Sequence, residues 1–176
     1  VRSRGLGDVY KRQELCFLGS IYPSTLGHVL LESDVVFKKA LNYCRKKSPW
    51  LLHVSCGSCN NCDIEILAAL APRFDVERFG GVLKPNPRHA DILVVTGIVS
   101  LKMRDVLRRL YEQTPDPKAV VAVGTCAITK GIFNETYASY GPPDAVVPVA
   151  AYIPGCPPRP QACLLYTSPS PRDRTR

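Results

Sequence analysis

Ala119-Val120-Val121-Ala122-Val123 is a run of five apolar residues with no polar position left to face water. A strand of that kind has to be covered on both faces, which is the situation of a parallel sheet sandwiched between helices. Asp91 to Gly97 has the same character, and Trp50-Leu51-Leu52-His53-Val54 and Ala145 to Ile153 read as further buried strands. Between them lie helical spacings. Met103, Val106, Leu107, Leu110 and Tyr111 define a helix over 101–113, closed by Pro115 and Pro117. Ile64, Leu67, Ala68 and Ala71 define another from Cys62 to Ala71, stopped by Pro72. A third is expected from Ser33 or Asp34 to about Lys47, with Cys44 on its apolar face, and Asp75 to Phe79 is expected as a strand before the Gly80-Gly81 break. Apolar strands alternating with helices predict an α/β domain with a mainly parallel sheet.

The two ends of the chain stand apart from this pattern. Ser3 to Gln13 and Cys163 to Asp173 can be encoded by the two strands of one short DNA duplex, the second shifted in frame. That duplex resembles a transposon-end adaptor of sequencing libraries. Residues 1–13 and 163–176 are therefore expected to be adaptor-derived, leaving an N-terminal segment and helix over 14–48 and one α/β domain over 49–162 that stops short of its natural end. The formal charge of +8 falls accordingly: the end segments carry +3 and +2, and the rest carries +3. A nucleic-acid partner suggested by the basic balance loses its support. No apolar run approaches the roughly 18 residues of a membrane span. With Cys163 set aside, seven unevenly spaced cysteines do not form a secreted disulfide framework, and a reducing cytoplasm is the expected compartment. No G-x-G-x-x-G or Walker-type loop is present, so nucleotide binding is not indicated.

The cysteines carry the chemistry. Cys56-Gly57-Ser58-Cys59-Asn60-Asn61-Cys62 puts three thiols in seven positions, two of them as a C-x-x-C pair, on the run into a helix. In parallel sheets ligands collect beyond the carboxyl ends of the strands. Cys59 and Cys62 follow one strand, Cys126 a second and Cys156 a third, so all four can converge on one sheet edge despite their separation in sequence. Four thiolates suit either structural zinc or a [4Fe–4S] cluster. Zinc usually takes two compact C-x-x-C knuckles, whereas here two single cysteines stand beside Gly124 and Gly155, where backbone could approach a bulky cluster. Cys156-Pro157 also matches the Cys-Pro that closes ferredoxin motifs. The cluster is favoured, with a zinc-stabilised interaction module as the alternative from another class. Cys56 is the spare thiol. His53, Arg88 and His89 are expected to pack or hydrogen-bond, Tyr137 and Tyr140 to pack over a loop, and Asp63 and Glu65 could relay protons, contact a partner or cap the helix.

Four stretches carry a resemblance: Cys59 to Ile66, Pro87 to Gly97, Met103 to Gln113 and Pro154 to Pro160. Together they resemble the small subunit of membrane-bound, energy-converting [NiFe]-hydrogenases, in the superfamily of the 20-kDa (B-type) subunit of respiratory complex I. The resemblance spans about Asp34 to Ala162. Complex I-type subunits begin their motif with two adjacent cysteines, while this chain has Cys59-x-x-Cys62, the hydrogenase pattern. It departs from that pattern at Asn61, where glycine is usual, at Ile98 to Leu101, where Pro-Val-Thr-Arg is expected, and at Lys130 in a glycine-rich turn.

The resemblance implies a flavodoxin-like fold with one [4Fe–4S] cluster held by Cys59, Cys62, Cys126 and Cys156. It implies an electron-transfer subunit, not catalytic alone, that exchanges electrons with a NiFe large subunit for proton reduction or hydrogen oxidation. The implied partners are that large subunit, a ferredoxin-like iron–sulfur subunit and membrane subunits, on the cytoplasmic side of the membrane. The alternative is the equivalent 20-kDa component of a complex I-type NADH or ferredoxin:quinone oxidoreductase.

Overall fold

The structure is a computed structural model that describes residues 48–134 and 136–160. The expected helix over 33–47, Cys44 and both end segments lie outside the described residues. Seven strands and three α-helices make up the described part: β1 (Trp50–Ser55), α1 (Asn61–Leu70), β2 (Val82–Leu83), β3 (Ile92–Thr96), β4 (Val99–Ser100), α2 (Leu101–Gln113), β5 (Ala119–Val123), α3 (Thr125–Thr129), β6 (Ser139–Gly141) and β7 (Ala151–Ile153).

Five strands form a parallel sheet in the order β2-β1-β3-β5-β7. This is the doubly wound order whose direction reverses between β1 and β3. β4 and β6 make a small antiparallel ribbon beside it. Every residue of β5 is buried, as its sequence demanded. One face of the sheet packs Leu52, Val54, Leu93, Val95, Val120 and Ala122 against α2 and α3, with Leu107 wholly enclosed. The other packs Leu51, Ile92, Val121, Val123 and Ile153 against Ile66, Ala69 and Leu70 of α1. The expected α/β architecture, helices on both faces of a mainly parallel sheet, is therefore what forms.

The helix over 101–113 runs as expected, with Ser100 Oγ accepting from the Met103 N–H at its start. Three expectations need correcting. Residues 76–79 form a 3₁₀ turn rather than a strand, because Asp75 enters it in the left-handed region at φ 47° and Gly80 leaves it at φ 92°. The edge strand is instead Val82–Leu83. The last strand is only Ala151–Ile153, since Pro143 opens a 3₁₀ turn and Pro148 has no N–H for a ladder. On α1, Ile64 and Leu67 point outward, 59% and 55% exposed. Cys62 turns in toward the sheet edge, and the positions sharing its face at helical spacing, Ile66, Ala69 and Leu70, follow it into the core.

Candidate metal centre

Registers across the sheet align the strand ends. Ser55 lies opposite Thr96, Thr96 opposite Val123, and Val123 opposite Ile153. Because the strands are parallel, the chain beyond that row emerges on one edge at Cys56, Gly97, Gly124 and Pro154. The cysteine-bearing loops start from this common line, and backbone bonds tie them together. Cys56 N–H donates to Thr96 C=O (3.0 Å), Gly124 N–H to Ile153 C=O (2.9 Å) and Thr125 N–H to Gly155 C=O (2.8 Å). Thr125 Oγ1 also donates to the Gly155 carbonyl at 3.1 Å, clasping the Cys126 loop to the Cys156 loop.

Cys62 sits in the first turn of α1 and Cys126 in the first turn of α3. Cys62 is buried, Cys126 half-buried, and Cys59 and Cys156 are exposed. Their electrostatics report their proximity. Burial first, then the neighbouring Cys126, Cys59 and Cys156, push the Cys62 thiol up to about 12. Cys126 is raised by burial and then by Cys156 and Cys59. Cys62 and Cys126 thus each lie near the other cysteines of the set, at one edge of the sheet. Among the described residues, no three His, Cys, Asp or Glu side chains close around one point tightly enough to hold a single metal ion.

Of the two glycines singled out in the sequence, Gly124 meets a thiol, while Gly155 meets Pro158. Gly124, at φ 92°, faces Cys62 so closely that a Cβ there would lie 2.6 Å from its Sγ. Gly155, at φ 142°, has Pro158 Cα 2.6 Å from where its own Cβ would be. Backbone therefore stands against a thiol at Gly124, and again at Gly131, where a Cβ would lie 3.2 Å from Cys126 Sγ. This donor set and cradle fit a group larger than one ion.

Cys56 is separate. It is fully buried in the core cluster that also holds Leu107 of α2, and burial, with a smaller push from the Asp63 charge, raises its thiol to about 12.

A polar cluster flanks the thiols. Asp63, one residue after Cys62, accepts from Ser58 Oγ, from Thr96 Oγ1 (2.5 Å) and from Ser55 Oγ (3.1 Å), and lies 2.9 Å from His53 Nε2. Burial alone would raise its carboxyl, but the Ser58 and Thr96 hydroxyls, the nearby His53 and Ser55 together hold it below its ordinary value. His53 is thus hydrogen-bonded, as expected, also meeting Thr96 Oγ1 at 3.2 Å. Sequence reasoning missed Ser55, Ser58 and Thr96. The available signal was Thr96, the single hydroxyl in an otherwise apolar strand and completely buried. Glu65 is half-buried on α1. Arg88 and His89 lie in the turn Pro87–His89, where His89 meets the Trp50 ring edge-on at 5.8 Å. Tyr140 packs under the Arg104 guanidinium, but Tyr137 is 98% exposed and packs over nothing.

Residues 59–167 match the family described as "NADH ubiquinone oxidoreductase, 20 Kd subunit". Among curated proteins, the chain is 53% identical to the probable membrane-bound hydrogenase subunit mbhJ of Pyrococcus furiosus, over 67% of this chain and 71% of that one. It is 47% identical to formate hydrogenlyase subunit 7 of Escherichia coli, over 76% of this chain and 52% of the relative. It is 40% identical to a B-type subunit of the NADH-quinone oxidoreductase of Rhizobium etli, over 76% and 80%. A chain in the solved structure of the membrane-bound sulfane sulfur reductase, an archaeal respiratory membrane complex, superposes with a TM-score of 0.62 at 38% identity, covering 72% of this chain and 70% of that one.

Proposed function

We propose, from the premise that this chain belongs to the family of the 20-kDa subunit of NADH ubiquinone oxidoreductase, that it carries one [4Fe–4S] cluster on Cys59, Cys62, Cys126 and Cys156 as the electron-transfer subunit of an energy-converting hydrogenase. The observation that carries the cluster assignment is the convergence of four thiols from three strand-end loops against a bare glycine backbone at Gly124. A zinc ion would draw its sulfurs together on bonds of about 2.3 Å. Two single cysteines on separate strand-end loops, in place of a second compact C-x-x-C knuckle, favour a cluster over structural zinc. When bound, such a cluster supplies reversible one-electron storage.

The chain's own residues would set how it works. Cys62 and Cys126 anchor the inner side of the site in burial, while Cys59 and Cys156 leave the outer side open toward a partner. The N–H groups of the strand-end loops and the low-dielectric floor formed by the sheet tune the potential. The partners are a NiFe large subunit, a ferredoxin-like iron–sulfur subunit that feeds or drains electrons, and membrane subunits, with this chain peripheral on the cytoplasmic side. No helix among the described residues is long and apolar enough to cross a membrane.

The C-x-x-C spacing and the 53% identity to a hydrogenase subunit favour hydrogenase over the complex I-type reading, in which the same cluster would face quinone. That second reading rests on the 40% identity to the NADH-quinone oxidoreductase relative. The test is an anaerobic preparation of the complex containing this chain. Four iron and four sulfide per chain with a reducible EPR signal, lost on Cys126→Ser, are expected; stoichiometric zinc without iron would overturn the reading. A large subunit with a C-x-x-C near each end would identify the hydrogenase, and one lacking them would overturn that assignment.

A further inference from the structure

Asp63 has an unusual number of neighbours for a residue at the start of a helix. Its two carboxylate oxygens collect hydroxyls from three places: Ser55 at the end of β1, Ser58 in the loop that leads to Cys59, and Thr96 at the end of β3. His53, on β1, completes the set. Only 13% of its side chain remains accessible. This is not helix capping, since Asn60 is the N-cap residue and no side chain caps α1.

The loop it holds is the one that needs holding. Cys59 is exposed, and Asn60 follows it in the left-handed region at φ 68°. Ser58 is used twice: its Oγ donates to Asp63 and accepts from the Asn60 N–H at 3.2 Å. The carboxylate is thereby linked, through one hydroxyl, to the backbone on both sides of Cys59. Thr96 anchors the other oxygen to a strand that is rigid because both of its neighbours pair with it along five residues.

We propose that Asp63 is a positioning residue for the cluster: it fixes the Ser58–Asn60 loop, and hence Cys59, onto the end of β3, and its charge biases the bound cluster toward its oxidised state. This rests on the reading that Cys59 and Cys62 hold a [4Fe–4S] cluster. The two parts of the role separate chemically. Asparagine keeps the shape and one accepting oxygen but removes the charge, while alanine removes both. A fixed negative charge beside a redox centre disfavours the added electron, so its removal raises the midpoint potential. The carboxylate lies close to the site, since Asp63 directly follows Cys62 in the first turn of α1.

The experiment uses the assembled, anaerobically purified complex with Asp63→Asn, Asp63→Ala and Ser58→Ala, read by iron content and EPR potentiometry. Asp63→Asn is expected to keep full iron and shift the midpoint positive. Asp63→Ala and Ser58→Ala are expected to lose iron and to show the EPR signal of a cluster that has dropped the iron held by Cys59. Wild-type line shape, iron content and midpoint in all three would overturn the proposal. Should Asp63→Ala fail to assemble, Ser58→Ala and Asp63→Asn still decide it. A wild-type complex without iron on this chain would instead sink the cluster reading itself, a different result from an intact cluster indifferent to Asp63.

Discussion

Gly124 faces the sulfur of Cys62 across a gap that leaves no room for a methyl group, with 2.6 Å between Sγ and the place a Cβ would occupy. The contact joins two loops that are 62 positions apart in sequence and adjacent only because β1, β3 and β5 run parallel. Gly124→Ala is therefore expected to cost the site twice, through steric conflict and through the unfavourable positive φ. The variant should retain its helical circular dichroism and lose most of its bound iron, measured per chain after anaerobic purification.

Cys56 should behave unlike the other cysteines. With its thiol raised to about 12 by burial and then by the Asp63 charge, Cys56 stays protonated at pH 8. In the metal-free folded chain, alkylation followed by peptide mass spectrometry should label Cys59 and Cys156 and spare Cys56 until the chain is unfolded. Cys56→Ala should keep the iron, because the thiol lies within the buried core.

The same thiol sets a pH dependence. Its folded value lies above the unfolded one of about 8.5, so the stability it contributes is complete below that pH and lost as pH rises toward about 12. Cys62 and Cys126 are displaced in the same direction. The metal-free chain should therefore show a flat denaturation midpoint near neutrality and a falling one above about pH 8.5. A midpoint that rose with alkalinity would contradict the burial of these groups.

Two substitutions on one helix separate stability from the metal site. Leu107 is wholly buried, and Leu107→Ala should cost about 3 kcal/mol in urea denaturation. Ser100 caps the same helix, and Ser100→Ala should cost about 1 kcal/mol. Ser100→Ala should leave the EPR spectrum of the assembled complex unchanged.

On α1, Ile64 and Leu67 expose apolar surface close to Cys62 in the same helix. Ile64→Asp and Leu67→Asp should leave the melting of this chain within about 0.5 kcal/mol of wild type. Each should reduce the amount of large subunit that co-purifies, which quantitative gel densitometry would measure.

The elements that are legible from the sequence are those whose residues leave no alternative. β5 has only apolar positions, and α2 repeats its apolar residues at helical spacing between a serine and two prolines. Both form where expected. The turn at 76–79 is not legible because Val76, which is buried, looks the same in a strand and in a 3₁₀ turn; the left-handed Asp75 that decides it has no sequence signature as strong as glycine. The outward face of α1 escapes for a different reason. Its apolar residues compete for the core, and the winner is set by where Cys62 must point, which depends on strands far along the chain. Likewise the four thiols can be gathered on one edge from strand-end logic alone, while the Asp63 cluster cannot. Ser55, Ser58 and Thr96 carry common hydroxyls, and only the Ser55–Thr96 register brings them to one carboxylate.

The clasp between Thr125 and Gly155 has a consequence for the order of assembly. Cys59 and Cys62 belong to one local segment, but Cys126 and Cys156 join them only after β5 has paired with β3 and β7 with β5. Contacts of such separation form late in folding. The nascent chain therefore offers an incomplete pair of thiols until its last described strand docks, at which point the bonds from Thr125 to the Gly155 carbonyl lock the remaining loops. A chain ending before β7 would have its first thiols exposed with no partners to share a metal, open to oxidation or to capture of the wrong ion. Completion of the thiol set thus waits on the docking of β7 rather than on the synthesis of the first pair.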